Sequence, residues 1–169
     1  MQVTVSGSPA IDAGDPAGRP SIRLALTYGL DDRGAIKLVL RFPTDGGSWQ
    51  ADDPAARNFV SVAASRACGF RVRFEAHGHA RPWFKALVVQ VVDGCLAAGD
   101  TVTVSLNLRL QTFCEDAHEL RFLVDPLATG HFVEVGTLAF AIGPDVPHEW
   151  RLVGPTRWPP GAPFRVGIR

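Results

Sequence analysis

The sequence has no net charge, because 17 Lys and Arg residues offset 17 Asp and Glu. A chain without a long-range field of one sign is not built to grip nucleic acid or to hold a membrane surface through a polybasic patch, although local patches stay open. It has no apolar run near the roughly 20 residues that span a bilayer as a helix. Its opening, Met1-Gln2-Val3-Thr4-Val5, lacks a basic n-region and an apolar h-region. No signal peptide is therefore expected, and a cytoplasmic location is favoured. Cysteine is scarce. Cys68, Cys95 and Cys114 are far apart with no C-x-x-C pair, which argues against a zinc knuckle or a thioredoxin-type site. Their odd number leaves at least one free thiol, and reduced, buried thiols in a reducing compartment are the expectation. G-x-S-x-G, Walker A and dinucleotide fingerprints are all missing, so nucleotide chemistry is disfavoured and no cofactor is expected. No stretch keeps a 3.6-residue apolar period over ten or more residues.

What is present is alternation. Ile22, Leu24, Leu26 and Tyr28 alternate with Arg23, Ala25 and Thr27; Ile36, Leu38 and Leu40 alternate with Lys37, Val39 and Arg41. Between them Gly29 to Gly34 reads as a hairpin loop. A long loop from Pro43 to Ala56 follows, then a strand from Asn58 to Ala64 whose end, Ala63 to Ala67, also suits a short helix. Phe70, Val72 and Phe74 alternate with charged neighbours, as in a strand with one wet face. Leu87 to Val92 is apolar on both faces, as in a central strand, and Asp93-Gly94 is a turn signal. Val102, Val104, Leu106, Leu108 and Leu110 form the cleanest inward row; further strands are expected at Leu120 to Val124 and Thr137 to Ile142. Strands and turns in this number predict an all-β, immunoglobulin-like antiparallel β-sandwich over residues 1–142, with a β-barrel as the alternative. Residues 143–169 read as a proline-rich linker ending in a short alternation, Phe164 to Ile168. That alternation either returns to the main sheet or opens a further domain, and the second reading is preferred.

Four constellations suggest chemistry. His77-Gly78-His79 has the spacing of a metal pair, but Gly78 and the Arg81-Pro82 step suggest a loop, and Arg81 would repel a cation. Asp45, Asp52 and Asp53 lie in a glycine-rich loop without calcium-loop spacing, so a solvated loop is expected. Cys114 and His118 share a face on a strand but stand ~13 Å apart by strand rise, too far for a thiol–imidazole pair unless the chain turns. No metal site is expected. The densest group is His79-Ala80-Arg81-Pro82-Trp83-Phe84-Lys85. If extended, it places His79, Arg81, Trp83 and Lys85 in one stripe. Pro82 marks a strand start or an edge. The stripe is either a brace, with Arg81 paired to a carboxylate such as Glu115 and Trp83 on the core edge, or a site for an anion, a sugar or a neighbouring domain.

Several segments taken in order carry a resemblance. They are Asp31-Asp32-Arg33-Gly34-Ala35-Ile36-Lys37, Arg41-Phe42, Asp52-Asp53-Pro54-Ala55-Ala56, Gly78-His79-Ala80-Arg81-Pro82-Trp83-Phe84-Lys85, Gly99-Asp100-Thr101-Val102, Gln111-Thr112-Phe113-Cys114-Glu115 and Phe122-Leu123-Val124-Asp125-Pro126. Over roughly Tyr28 to Phe132 the chain resembles the N-terminal β-rich region of a bacterial family of unknown function. Members of that family carry a downstream metal-dependent hydrolase domain of the polymerase-and-histidinol-phosphatase type. The resemblance implies a non-catalytic accessory module that docks onto a downstream catalytic domain or partner chain, or controls substrate access to it. Only His79 of the His77–His79 pair belongs to the matching segment. The strand–helix alternation of a metal-binding barrel is missing from the sequence. The alternatives are a stand-alone carbohydrate- or anion-binding module and a small hydrolase.

Overall fold

The computed structural model describes residues 2–6, 10–12, 21–41, 47–107, 114–143, 152–153 and 167–168, with side chains described over 21–41, 47–107 and 114–143. It is all-β and contains no helix among the described residues. The strands are β1 (Gln2–Ser6), β2 (Ala10–Asp12), β3 (Ser21–Ala25), β4 (Ala35–Leu40), β5 (Phe59–Ala64), β6 (Gly69–Glu75), β7 (Lys85–Asp93), β8 (Thr101–Asn107), β9 (Glu115–Asp125), β10 (Val133–Gly143), β11 (Leu152–Val153) and β12 (Gly167–Ile168). One sheet has the order β1-β3-β8-β5 and the other β2-β10-β9-β4-β7-β6. All pairings are antiparallel except β2 with β10, which is parallel. The sheets stay separate, so a sandwich forms and the barrel alternative does not.

The period-2 rows meet between the sheets. Ile22 and Leu24 of β3, Val102, Val104 and Leu106 of β8, Ile36 and Leu38 of β4, Leu87 and Val89 of β7, and Leu120, Phe122 and Val124 of β9 form one buried cluster. Each large apolar side chain taken out of water there contributes about 1.5–3 kcal/mol. β7 lies between β4 and β6, where its two-faced apolar composition belongs.

Several sequence expectations need correcting. The segment from Gly29 to Gly34 is not a hairpin loop: β3 and β4 belong to different sheets, so it crosses the sandwich. It does so beside the β7–β8 crossing, where Leu30 and Leu96 exchange both backbone hydrogen bonds at 2.8 and 2.9 Å. Turn chemistry is the same for a hairpin and a crossing, and only the partner strand tells them apart. Tyr28 lies beyond the end of β3 and is exposed. Ala63 and Ala64 finish β5 rather than opening a helix. The thiols are not buried: Cys95 and Cys114 are exposed, Cys68 is intermediate, and all three are free. Gly167 and Ile168, from the expected terminal alternation, pair with Val153 and Leu152 in a two-stranded ladder apart from both main sheets. Asp45, Leu108 and Leu110 lie outside the described residues.

Candidate functional site

The six-stranded sheet carries a second, smaller apolar cluster on the face turned away from the sandwich. Val39 of β4, Ala86 of β7 and Leu123 of β9 meet Trp83 there, and Phe132 packs against them. Trp83 lies in the β6–β7 connection, residues 76–84, and Phe132 lies in the β9–β10 connection, residues 126–132. Two loops therefore fold over one sheet face. This explains why β4 is buried on both faces, with Val39 fully enclosed, although the alternation predicts a solvated outer row.

Lys37 holds both loops. Its Nζ donates to the Gly78 carbonyl at 2.9 Å and stands 4.1 Å from the centre of the Phe132 ring. Burial pulls its pKa below the usual lysine value; nearby Glu75 opposes this, and Arg73 adds to it. Gly78 is required by space, since a Cβ there would sit 2.7 Å from the Ala86 Cβ and 2.7 Å from a Glu75 carboxylate oxygen. The loop closes through Trp83 N–H to the Ala80 carbonyl at 2.9 Å and His79 N–H to the Phe84 carbonyl at 3.3 Å; the Arg81–Pro82 peptide is cis.

The stripe from His79 to Lys85 is therefore not a stripe. Only Lys85 is in a strand, where it opens β7 opposite Leu40. Trp83 turns inward and is 7% exposed. The Arg121 guanidinium lies 4.2 Å from the centre of the Trp83 ring, a contact worth about 0.5–2 kcal/mol. Arg81 is exposed, with its guanidinium 5.3 Å from the Phe84 ring centre. The expected Arg81–Glu115 ion pair is absent among the described residues. Glu115 instead meets His118 Nδ1 at 2.8 Å, and buried His118 packs on Phe140 with ring centres 5.1 Å apart. Among the described residues no hydrogen bond joins Cys114 to His118. His77 is exposed, its ring 5.9 Å from that of Phe84. No group of three or more His, Cys, Asp and Glu side chains converges as a metal ion would require, among the described residues.

The structure adds a cleft of about 570 Å³, lined by Arg41, His79, Ala80, Arg81, Pro82, Trp83, Glu119 and Arg121. Register explains the grouping. Val39 faces Arg121 across the β4–β9 ladder, and Leu40 faces Leu120. Continuing that register places Arg41 and Glu119 on the same outer face, one step along. Loop 76–84 adds His79 and Arg81 from above. Arg121 Nη1 stands 3.4 Å from Glu134 Oε2, while its buried Nε has no hydrogen-bond partner. Among the described residues the side chains of Arg41, His79, Arg81 and Glu119 make no hydrogen bond or ion pair. Burial lowers the pKa of His79; Lys37 and Arg121 lower it further against the opposing pull of Glu134. Such a cleft can hold an anion by charge-assisted hydrogen bonds, which are stronger than neutral ones.

Of the predicted site residues, His79, Arg81 and Trp83 line this cleft; Lys85 and Glu115 do not. Arg41, Glu119, Arg121 and Lys37 were missed. Their only local signal is parity: Lys37 and Arg41 alternate with the apolar row Ile36, Leu38 and Leu40, and Glu119 and Arg121 with Leu120 and Phe122.

No family model matches the chain, and no curated protein does. Among solved structures, one described as "AvmM Catalyzes Macrocyclization in Alchivemycin A Biosynthesis" is similar at 12% identity and a TM-score of 0.46, over 88% of this chain and 90% of that one. No helix among the described residues is long and apolar enough to cross a membrane.

Proposed function

We propose that this chain is a non-catalytic, immunoglobulin-like β-sandwich module that binds an anionic group in the Arg41–Arg81–Arg121 cleft. The observation that carries the reading is that three arginines, one just past the end of β4, one in loop 76–84 and one in β9, line one open cleft. The spatial strand order supports the immunoglobulin-like description, with β8 between β3 and β5, and β9 between β10 and β4. It differs from a variable-type domain in that β5 precedes β6 and β7 along the chain. The resemblance to the N-terminal region of hydrolase-bearing proteins supports an accessory role, in which the cleft receives an acidic segment of a downstream domain or steers an anionic substrate toward it. A sugar platform is the weaker reading, because Trp83 is buried beneath Arg121.

Titration of the purified chain with sodium sulfate, followed by calorimetry, tests anion binding. Binding is expected in the wild type and strongly reduced in an Arg41→Gln/Arg81→Gln variant. Equal binding by both, or by neither, overturns the reading. Turnover of phosphate or carboxylic esters with added divalent metal, abolished by Arg81→Gln, would overturn its non-catalytic part.

A further inference from the structure

The anion-binding reading leaves open which anions the cleft selects, and its charge inventory bears on that. The lining residues offer three guanidiniums and one carboxylate, Glu119. Burial, with Lys37 and Arg121, lowers the His79 pKa against the pull of Glu134, which favours the uncharged imidazole. The lining therefore carries two net positive charges. Just outside it, Lys37 and Glu134 bear opposite charges and push His79 in opposite directions, and Glu134 also stands 3.4 Å from Arg121 Nη1. A monoanion would leave one positive charge uncompensated in a partly desolvated cleft, and a trianion would meet Glu119 with charge in excess.

The donors agree with the charge. The guanidiniums of Arg41 and Arg81 make no hydrogen bond or ion pair among the described residues, and Arg81 touches only the Phe84 ring, 5.3 Å from its centre. Arg121 adds a third guanidinium, 35% exposed, with one Nη1 contact to Glu134 Oε2 at 3.4 Å. A ligand with several acceptor oxygens satisfies donors arriving from three elements, whereas one carboxylate with two oxygens suits a single bidentate arginine.

We infer that the cleft selects a dianionic oxyanion group, of the kind carried by a phosphate monoester or a short dicarboxylate, over monoanions. This rests on the anion-binding reading above, and the test separates the two. The full chain is titrated at pH 8 and constant ionic strength with inorganic phosphate, sulfate, succinate and acetate. Phosphate and sulfate, or succinate, are expected to bind at least about tenfold tighter than acetate, as one additional close charge pair provides. Which dianion binds more tightly tells a tetrahedral group from a dicarboxylate. Arg81→Gln, at an exposed position that should leave folding intact, is expected to reduce the dianion preference to a few-fold or less. If acetate binds as tightly as the dianions and Arg81→Gln weakens all alike, the dianion inference falls while anion binding stands. If none of the four binds, both fall.

Discussion

Two clefts of similar size lie on this fold, and they use their polar residues in opposite ways. One, of about 570 Å³, is the Arg41–Arg81–Arg121 cleft; the other, of about 540 Å³, runs between the 48–52 segment and β6, lined by Trp49, Gln50, Asp52, Arg71, Arg73 and Phe74 among others. In the second, Gln50 is fully occupied. Its Nε2 donates to the carbonyls of Asp53 and Arg57 at 2.9 and 3.3 Å, and its Oε1 accepts from the N–H groups of Asp52 and Asp53 at 2.8 and 2.9 Å. Arg73 is held by Glu75 at 2.8 Å and by Gln90 at 3.3 Å. Trp49 is buried in the main core, its ring centre 6.5 Å from that of Phe74. The polar groups of this cleft mostly build a loop. In the first, the side chains of Arg41, His79, Arg81 and Glu119 make no hydrogen bond or ion pair among the described residues. Residue types do not separate the two, since both contain arginines, an acidic residue and a tryptophan; the engagement of those residues does.

The two tryptophans break the comparison with the largest effect. Trp49→Ala should cost about 3–5 kcal/mol in urea unfolding, as a buried aromatic does, while the protein that remains folded binds sulfate as before. Trp83→Ala should cost about 3 kcal/mol and also weaken sulfate binding, because Arg121 loses the ring it rests on and loop 76–84 loses its anchor. If both variants bind sulfate alike, the first cleft does not depend on its loop.

Acid should act on the neighbouring loop. Burial pushes the Asp125 carboxyl up, but hydrogen bonds from Thr129 N–H at 2.9 Å, Gly130 N–H at 2.6 Å and the Thr129 hydroxyl at 3.0 Å outweigh it, and its pKa lies below the usual aspartate value. A carboxyl depressed in the folded state gives stability that is complete above its unfolded pKa, about 4, and lost as pH falls through the folded value. Asp125→Asn should cost about 1–3 kcal/mol at pH 7 by facing donors with an amide, and should flatten the acid limb of a stability–pH curve. Because this loop carries Phe132, sulfate affinity should fall with it. Lys37→Met should cost about 1–2 kcal/mol through the lost donor to the Gly78 carbonyl, again with weaker sulfate binding. Arg73→Gln and Arg81→Gln sharpen the contrast at the small end. Both should lie within about 1 kcal/mol of the wild type, yet only Arg81→Gln should change sulfate affinity.

The sandwich was legible because inward rows such as Val102, Val104 and Leu106 obey a period of two whatever their partners. The apolar two-faced run of β7 also marked its interior position correctly. The cleft was not legible, for a reason visible in Arg41 and Arg121: they meet only through the β4–β9 register, and no local pattern encodes a register between strands so distant in the chain. The stripe from His79 to Lys85 failed differently. Alternation assumes an extended backbone, whereas Lys37, far upstream, bonds to the Gly78 carbonyl, and Trp83 is drawn onto Val39 and Leu123. Those long-range contacts turn the tryptophan under Arg121 instead of beside Arg81.

The smallest effect concerns His79, and it separates a cleft that waits for an anion from one that is merely cationic. Burial, Lys37 and Arg121 hold its pKa below the usual 6.5, with Glu134 opposing; Arg41, Arg81 and Glu119 line the same cleft. A histidine depressed in the folded state binds fewer protons than it does when unfolded. The empty protein should therefore lose a little stability as pH falls from about 6.5 through the folded value. A bound anion reverses the balance by favouring the imidazolium. Sulfate affinity should rise a few-fold between about pH 7.5 and pH 5.5, with net proton uptake on binding at the lower pH. His79→Gln should match the wild type at pH 7.5 and lose the rise. Calorimetry in two buffers of different ionisation enthalpy reads the proton uptake directly. A rise that survives in His79→Gln would assign the titration to another group and remove His79 from the cleft's chemistry.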